Sequence, residues 1–164
     1  MMGHPNEELV SRGYDAFAKG DIDALRSLLD PDVVWHQPGR SVLAGDHRGA
    51  DAVLGFFATT MQLTAGSFRA EPHDVIAGDQ HVVGLHLARG ERQGRTFADR
   101  QVLVVHVRDG KIAEVWDIPV TVARGPKACL TNLSLPGSRE SGSTRRASHV
   151  RDLDRIRLTS RVFT

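Results

Sequence analysis

Two side chains of this 164-residue sequence could move a proton at a carbonyl compound: Asp117, which closes the run RDGKIAEVWD, and His86, in the middle of HVVGLHLAR. A carboxyl group withdrawn from water resists ionisation, which brings its pKa toward neutrality. Beside an imidazole it can take a proton from carbon and return it. Alternation along extended segments puts Trp35 with Gln37 on one face of their segment, Asp99 with Gln101 and Leu103 on one face of theirs, and Val115 with Asp117. Phe56 and Phe57 follow one another on a helix and supply further apolar surface, so Trp35, Phe56, Phe57 and Val115 read as walls. The expected chemistry is proton abstraction on a small hydrophobic carbonyl compound. Asp117 and His86 are the expected catalytic pair, and Trp35, Gln37, Phe56, Phe57, Asp99, Gln101, Leu103 and Val115 the expected substrate contacts. The alternative is that Asp117 and His86 satisfy one another, Arg100 or backbone groups as structural polar residues. The protein is then a non-catalytic module that binds a hydrophobic ligand or dimerises.

The elements that must position these residues are legible in outline. Asn6 is the expected cap of a helix through Glu7, Val10, Tyr14 and Phe17, stopped by Gly20; Asp21 caps a second one, Ile22–Leu29, ended by Asp30-Pro31. Asp32–Gln37 is β-branched and aromatic and reads as a strand. After the loop GRSVLAGDHRG, residues Ala50–Leu63 carry Val53, Phe56, Phe57, Thr60 and Leu63 on one helical face. Four strands follow, Ser67–Ile76, Gln80–Arg89, Thr96–Val107 and Lys111–Ile118, with turns at Gly78-Asp79, Gly94 and Asp109-Gly110, and Pro119 ends the last. Helices first and a strand meander after them predict an α+β fold, a curved antiparallel sheet with N-terminal helices forming a cone-shaped cavity.

The runs YDAFAKGDIDAL, PDVVWHQPG, LAGDHRGADAV and RDGKIAEVWD, in that order, resemble the SnoaL-like branch of the nuclear transport factor two-like superfamily, which includes ketosteroid isomerases and polyketide cyclases. The resemblance covers about residues 6–118 and implies a cystatin-like α+β barrel. Aligned on GDIDA and DGKI, it turns Trp35, Gln37, Gly84, His86, Ala88, Asp99, Gln101, Leu103, Val105, Ala113, Val115 and Asp117 toward the cavity. Val83, Leu85, Leu87, Val102, Val104, His106, Ile112, Glu114 and Trp116 then face outward, a largely apolar surface that in this family is typically covered by a second copy, so a homodimer is expected. The isomerase base position falls on Gln37, its tyrosine position on Gly13, one residue from Tyr14, and its second acid on Leu103. None of the three can do that work, which argues against the ketosteroid route. The polyketide cyclases resemble the remaining arrangement, an inward aspartate near a histidine, and that resemblance implies aldol-type ring closure as the other expected reaction.

Composition sets the limits. Lys and Arg total 21 and Asp and Glu 20, for a net charge of +1, but the charges divide near Arg124. Residues 124–164 carry nine basic and three acidic side chains, a net of +6, and leave −5 on residues 1–123. The first part reads as the folded domain. The second, rich in Ser, Gly and Arg, reads as a non-family basic extension with too little apolar surface to order itself. No run is long and apolar enough for a membrane span, the start MMGHPNEEL is polar, and a cytoplasmic location is expected. A single cysteine, Cys129, excludes an internal disulfide, and the domain's histidines lack metal-ligand spacing. No metal and no cofactor are expected, nor is a nucleic-acid partner; the expected partners are a small hydrophobic molecule and a second copy of the chain.

Overall fold

The structure, a computed structural model, describes residues 3–120; the basic segment 124–164, with Cys129, lies outside the described residues, and so does the proposed boundary at 123. The first helix, α1 (Pro5–Lys19), starts one residue before the expected cap. Pro5 has no N–H to lose at the first helical position, and His4 caps the helix by accepting the Asn6 N–H at Nδ1, 3.2 Å away. Asn6 instead donates from its side chain to the carbonyls of Gly78 and Asp79, both at 2.9 Å, which ties the start of α1 to a distant turn. Gly20, with φ at 66°, ends α1 in the left-handed conformation that glycine adopts without penalty. Asp21 then caps α2 (Ile22–Leu28) through the Ala24 N–H.

The chain passes directly into β1 (Leu29–Gln37), longer than the expected strand. Inside the segment expected to be a loop lies β2 (Gly45–Arg48), which pairs antiparallel with β1. This strand is short and has no apolar alternation of its own; it exists because β1 offers an unpaired edge. Helix α3 (Ala50–Leu63) follows with the expected bounds, and then β3 (Arg69–Ala77), β4 (His81–Arg92), β5 (Arg95–Arg108) and β6 (Lys111–Pro119). The turns Gln93-Gly94 and Asp109-Gly110 both have positive φ at their two central residues, the backbone that joins tightly twisted antiparallel strands.

These elements make an α+β fold with a curved, unclosed six-stranded sheet in the order β2-β1-β6-β5-β4-β3. All neighbours are antiparallel except β1 and β6, which run parallel and are joined through β2, the helix α3 and β3 through β5. Helix α1 packs on β3 and β4, α3 on β1 and β2, and α2 bridges the two helices. The core, including Val10, Val33, Val53, Val82 and Val115, sits between helices and sheet. Among the described residues no helix is long and apolar enough to cross a membrane.

One irregularity decides which side chains face inward. His106 pairs with Glu114 and Val107 with Ile112, so Ala113 is an extra residue bulged from β6. Ile112, expected outside, therefore lines the inner cavity, whereas Ala113 is buried without lining it. Beyond the bulge, alternation resumes and turns Val115 and Asp117 inward.

Gly84 on β4 admits the ring of Tyr14: a Cβ there would stand 2.6 Å from the Tyr14 hydroxyl and 3.3 Å from the ring. Gly84→Ala is therefore expected to destabilise the fold by about 1–3 kcal/mol, the usual effect of overpacking. Because the hydroxyl is the nearest atom, adding Tyr14→Phe should relieve part of that loss in urea unfolding. Strictly additive single effects would contradict the contact.

Candidate functional site

Between α1, α3 and the inner sheet face lies a cavity of ≈ 110 Å³. Of the residues expected there, Trp35, Gln37, Phe56, Phe57, His86, Gln101, Leu103, Val115 and Asp117 line it. Asp99 does not; it lies opposite Ala88, further along the β4–β5 ladder, beyond the reach of the cavity. The walls are aromatic and aliphatic, with Trp35 packed edge-on against Phe57 at 5.1 Å between ring centroids and tilted against Phe56 at 5.8 Å.

Polar groups enter this wall from two places. From β4 and β5, His86 is 3% exposed and uses both ring nitrogens: Nδ1 is 3.0 Å from the Tyr14 hydroxyl and Nε2 3.1 Å from Gln101 Oε1. A carbonyl oxygen only accepts, so Nε2 carries the proton and Nδ1 receives the Tyr14 O–H. Burial pushes the His86 pKa down, against the pull of Gln101, which keeps the imidazole neutral as this chain requires. Burial, and then the charge of Asp117, holds the Tyr14 hydroxyl well above its ordinary value. Helical spacing had put Tyr14 on the apolar face of α1 with Val10 and Phe17, but its contact with His86 rests on tertiary packing.

From β6 comes Asp117, 9% exposed, whose Oδ1 has no hydrogen-bond partner among the described residues. Burial pushes its pKa up to about 7, the side chain of Gln37 pulling the other way. His36 pairs with Trp116 across the parallel strands, so Gln37 lies beside Asp117. The expected direct bond between Asp117 and His86 is absent: both face the one cavity, but β5 separates their strands, about 10 Å of backbone at ordinary strand spacing. The residue between them is Gln101. It holds His86, and because Leu103 pairs with Asp117, it stands diagonally across from that carboxyl at a Cα separation of about 7–8 Å. With Oε1 turned to His86, its amide N–H groups are turned away from that ring.

The outer face has its own polar cluster. His36 is 2.7 Å from both Asp46 and Glu114 and stacks on Trp116 with 17° between rings, joining β2, β1 and β6. Glu114 raises its pKa most, and Asp46 adds to this. Glu114 and Trp116, both on the outer face as expected, thus clamp His36 between them.

The SnoaL-like domain model matches residues 10–115, a span that includes all of these elements except the first turn of α1 and the end of β6. An uncharacterised protein of Mycobacterium tuberculosis is 32% identical over 109 residues, which cover 66% of this chain and 83% of that protein. Among solved structures, Bal32a from a soil-derived mobile gene cassette is similar with a TM-score of 0.69 and 34% identity, over 71% of this chain and 89% of its own. IdmH of Streptomyces antibioticus, described as a candidate polyketide cyclase, is similar with a TM-score of 0.60 and 27% identity, over 72% of this chain and 93% of its own.

Asp117 makes stability depend on pH. Between the ordinary carboxyl value of 3.8 and about 7, only the unfolded chain releases this proton, so stability falls as pH rises through that window and stays lowered above it. Asp117→Asn, of the same shape and never charged, should be more stable than the wild type at about pH 8, with the advantage shrinking toward about pH 4. Urea unfolding of both proteins across that range measures it; a difference independent of pH would contradict the buried carboxyl.

Proposed function

The chain belongs to the SnoaL-like domain family, and on that premise we propose that it performs acid–base chemistry, without metal or cofactor, on a small hydrophobic carbonyl compound. The observation that carries this reading is Asp117, a buried carboxyl group whose pKa of about 7 lets it both take and give a proton near neutral pH. A ketone seated against Trp35, Phe56, Phe57 and Val115 would direct its carbonyl oxygen to the amide N–H of Gln101. Ionised Asp117 takes a proton from the carbon next to that carbonyl. The C–H electrons form a C=C bond, and the Gln101 donor stabilises the negative charge arriving on oxygen. Return of the proton to a different carbon is an isomerisation; attack of the enolate on a second carbonyl of the same molecule is a ring closure. Leu103 and Val105 keep the surroundings apolar, and His86 with Tyr14 holds Gln101 in place as positioning residues. The likeness to IdmH, a candidate polyketide cyclase, supports the same class of chemistry.

The outer sheet face, where Val83, Leu85, Val102, Val104 and Trp116 are half-buried, is the surface through which we expect a homodimer to form, in the cytoplasm. Sedimentation of the purified chain checks this, with a dimer mass expected and a monomer at all concentrations against it.

With compact cyclic ketones in deuterated buffer, deuterium should enter the α-carbon at a rate that rises with pH and levels off above about 7. Asp117→Asn should lower that rate by ~10²-fold or more while ligand binding persists, and Gln101→Leu by ~10²-fold. Binding of such ketones by the wild type with no exchange above background would instead establish the hydrophobic-ligand-binding reading.

A further inference from the structure

Among the described residues, four buried side-chain nitrogen or oxygen atoms lack a hydrogen-bond partner: Trp35 Nε1, Gln37 Oε1, Asp117 Oδ1 and Arg92 Nη1. The first three belong to residues that line the cavity, and the sheet register brings those residues together. Trp35 pairs with Val115 and His36 with Trp116, so Gln37 is the lateral neighbour of Asp117 and Trp35 lies two residues back on the same face. Buried polar atoms are almost always paired, and three exceptions at one place call for a common partner. Trp35 offers one N–H, which only donates. Gln37 Oε1 and ionised Asp117 Oδ1 only accept. A single group that accepts once and donates twice satisfies all three, and a water molecule is the smallest group that does so.

We propose that Trp35 Nε1, Gln37 Oε1 and Asp117 Oδ1 together hold one water molecule, and that Asp117 directs this water at the carbonyl carbon of the bound compound. This rests on the proton-transfer reading only for the identity of the compound and the place of its carbonyl. The water oxygen bonds to the carbonyl carbon, the π pair moves onto the carbonyl oxygen, and Asp117 takes a proton from the water. It passes that proton to the former carbonyl oxygen, giving a hydrate. The reverse sequence, with either oxygen leaving, exchanges the carbonyl oxygen with solvent. The site therefore supports hydration, and with an activated acyl compound hydrolysis, from the same aspartate that abstracts protons from carbon.

A crystal structure of the full chain at high resolution is the first test: one water should stand at hydrogen-bond distance from all three atoms. No water within hydrogen-bond distance of Trp35 Nε1, or Gln37 Oε1 and Asp117 Oδ1 each held by protein groups instead, would overturn the proposal. The second test uses cyclohexanone in buffer enriched in both ¹⁸O and deuterium, so that the two reactions are read separately in one mass spectrum. The wild type should accelerate carbonyl-oxygen exchange. Trp35→Phe, which keeps the aromatic wall, and Gln37→Met should each reduce the ratio of oxygen exchange to α-deuteration at least tenfold, because any effect on ketone binding or on the Asp117 pKa is shared by both reactions. Equal loss of both labels in these variants, or unchanged oxygen exchange, would contradict a dedicated water. Oxygen exchange without α-deuteration in the wild type would uphold the water site and overturn the proton-transfer reading instead.

Discussion

A carboxyl group held away from water is the constraint around which the rest of this molecule is arranged. Removing an ionised carboxylate from water without a charged partner is costly, and a fold normally answers by pairing it or by letting it hold its proton. Among the described residues no Lys or Arg pairs with Asp117: Gln37 is the polar side chain that moderates its burial, and its pKa settles at about 7. An exposed carboxylate would be a weak base at neutral pH and one paired with a cation a weaker one still. The apolar lining of the cavity is therefore part of the chemistry as well as of the core.

A second, neutral network steadies the wall across from it. The Tyr14–His86–Gln101 chain links α1 to β4 and β5 through 3.0 and 3.1 Å contacts, and each member has its proton direction set by the next. Gly84 is what allows this, since any larger residue would meet the tyrosine hydroxyl. The bulge at Ala113 serves the same end on β6: it brings Ile112 into the wall and leaves the following alternation to deliver Val115 and Asp117 to the cavity. A single extra residue in a strand thus sets the face of every side chain on one side of it.

Most of this cavity was legible in the sequence because strands alternate with a period of two and the resemblance at GDIDA and DGKI told which face turns inward. Trp35, Gln37, His86, Gln101, Leu103, Val115 and Asp117 all reach the predicted face, and Phe56 and Phe57 the predicted wall. What escaped has physical reasons. The bulge leaves no mark in a run such as KIAEV, where both Ile112 and Ala113 are apolar. Strand β2 is induced by the edge of β1, and the helix cap at His4 follows from Pro5 and from the turn that claims Asn6. Asp117 and His86 do share a cavity, but the hydrogen bonds of His86 go to Tyr14 and Gln101, a choice made by three-dimensional packing that no spacing rule encodes. The family and the α+β fold, carried by several runs in a fixed order, were the most secure part of the reading.

The central claim is that Asp117 is a buried carboxyl group poised between its two protonation states near neutral pH. Carbon-13 NMR of the aspartate side-chain carboxyls, assigned by comparison with Asp117→Asn and followed from about pH 3 to about pH 9, reads this directly. The Asp117 resonance should titrate with a midpoint of about 7, well separated from the exposed aspartates. A midpoint near the ordinary 3.8 would contradict the account, and with it the proton-transfer chemistry built on that residue.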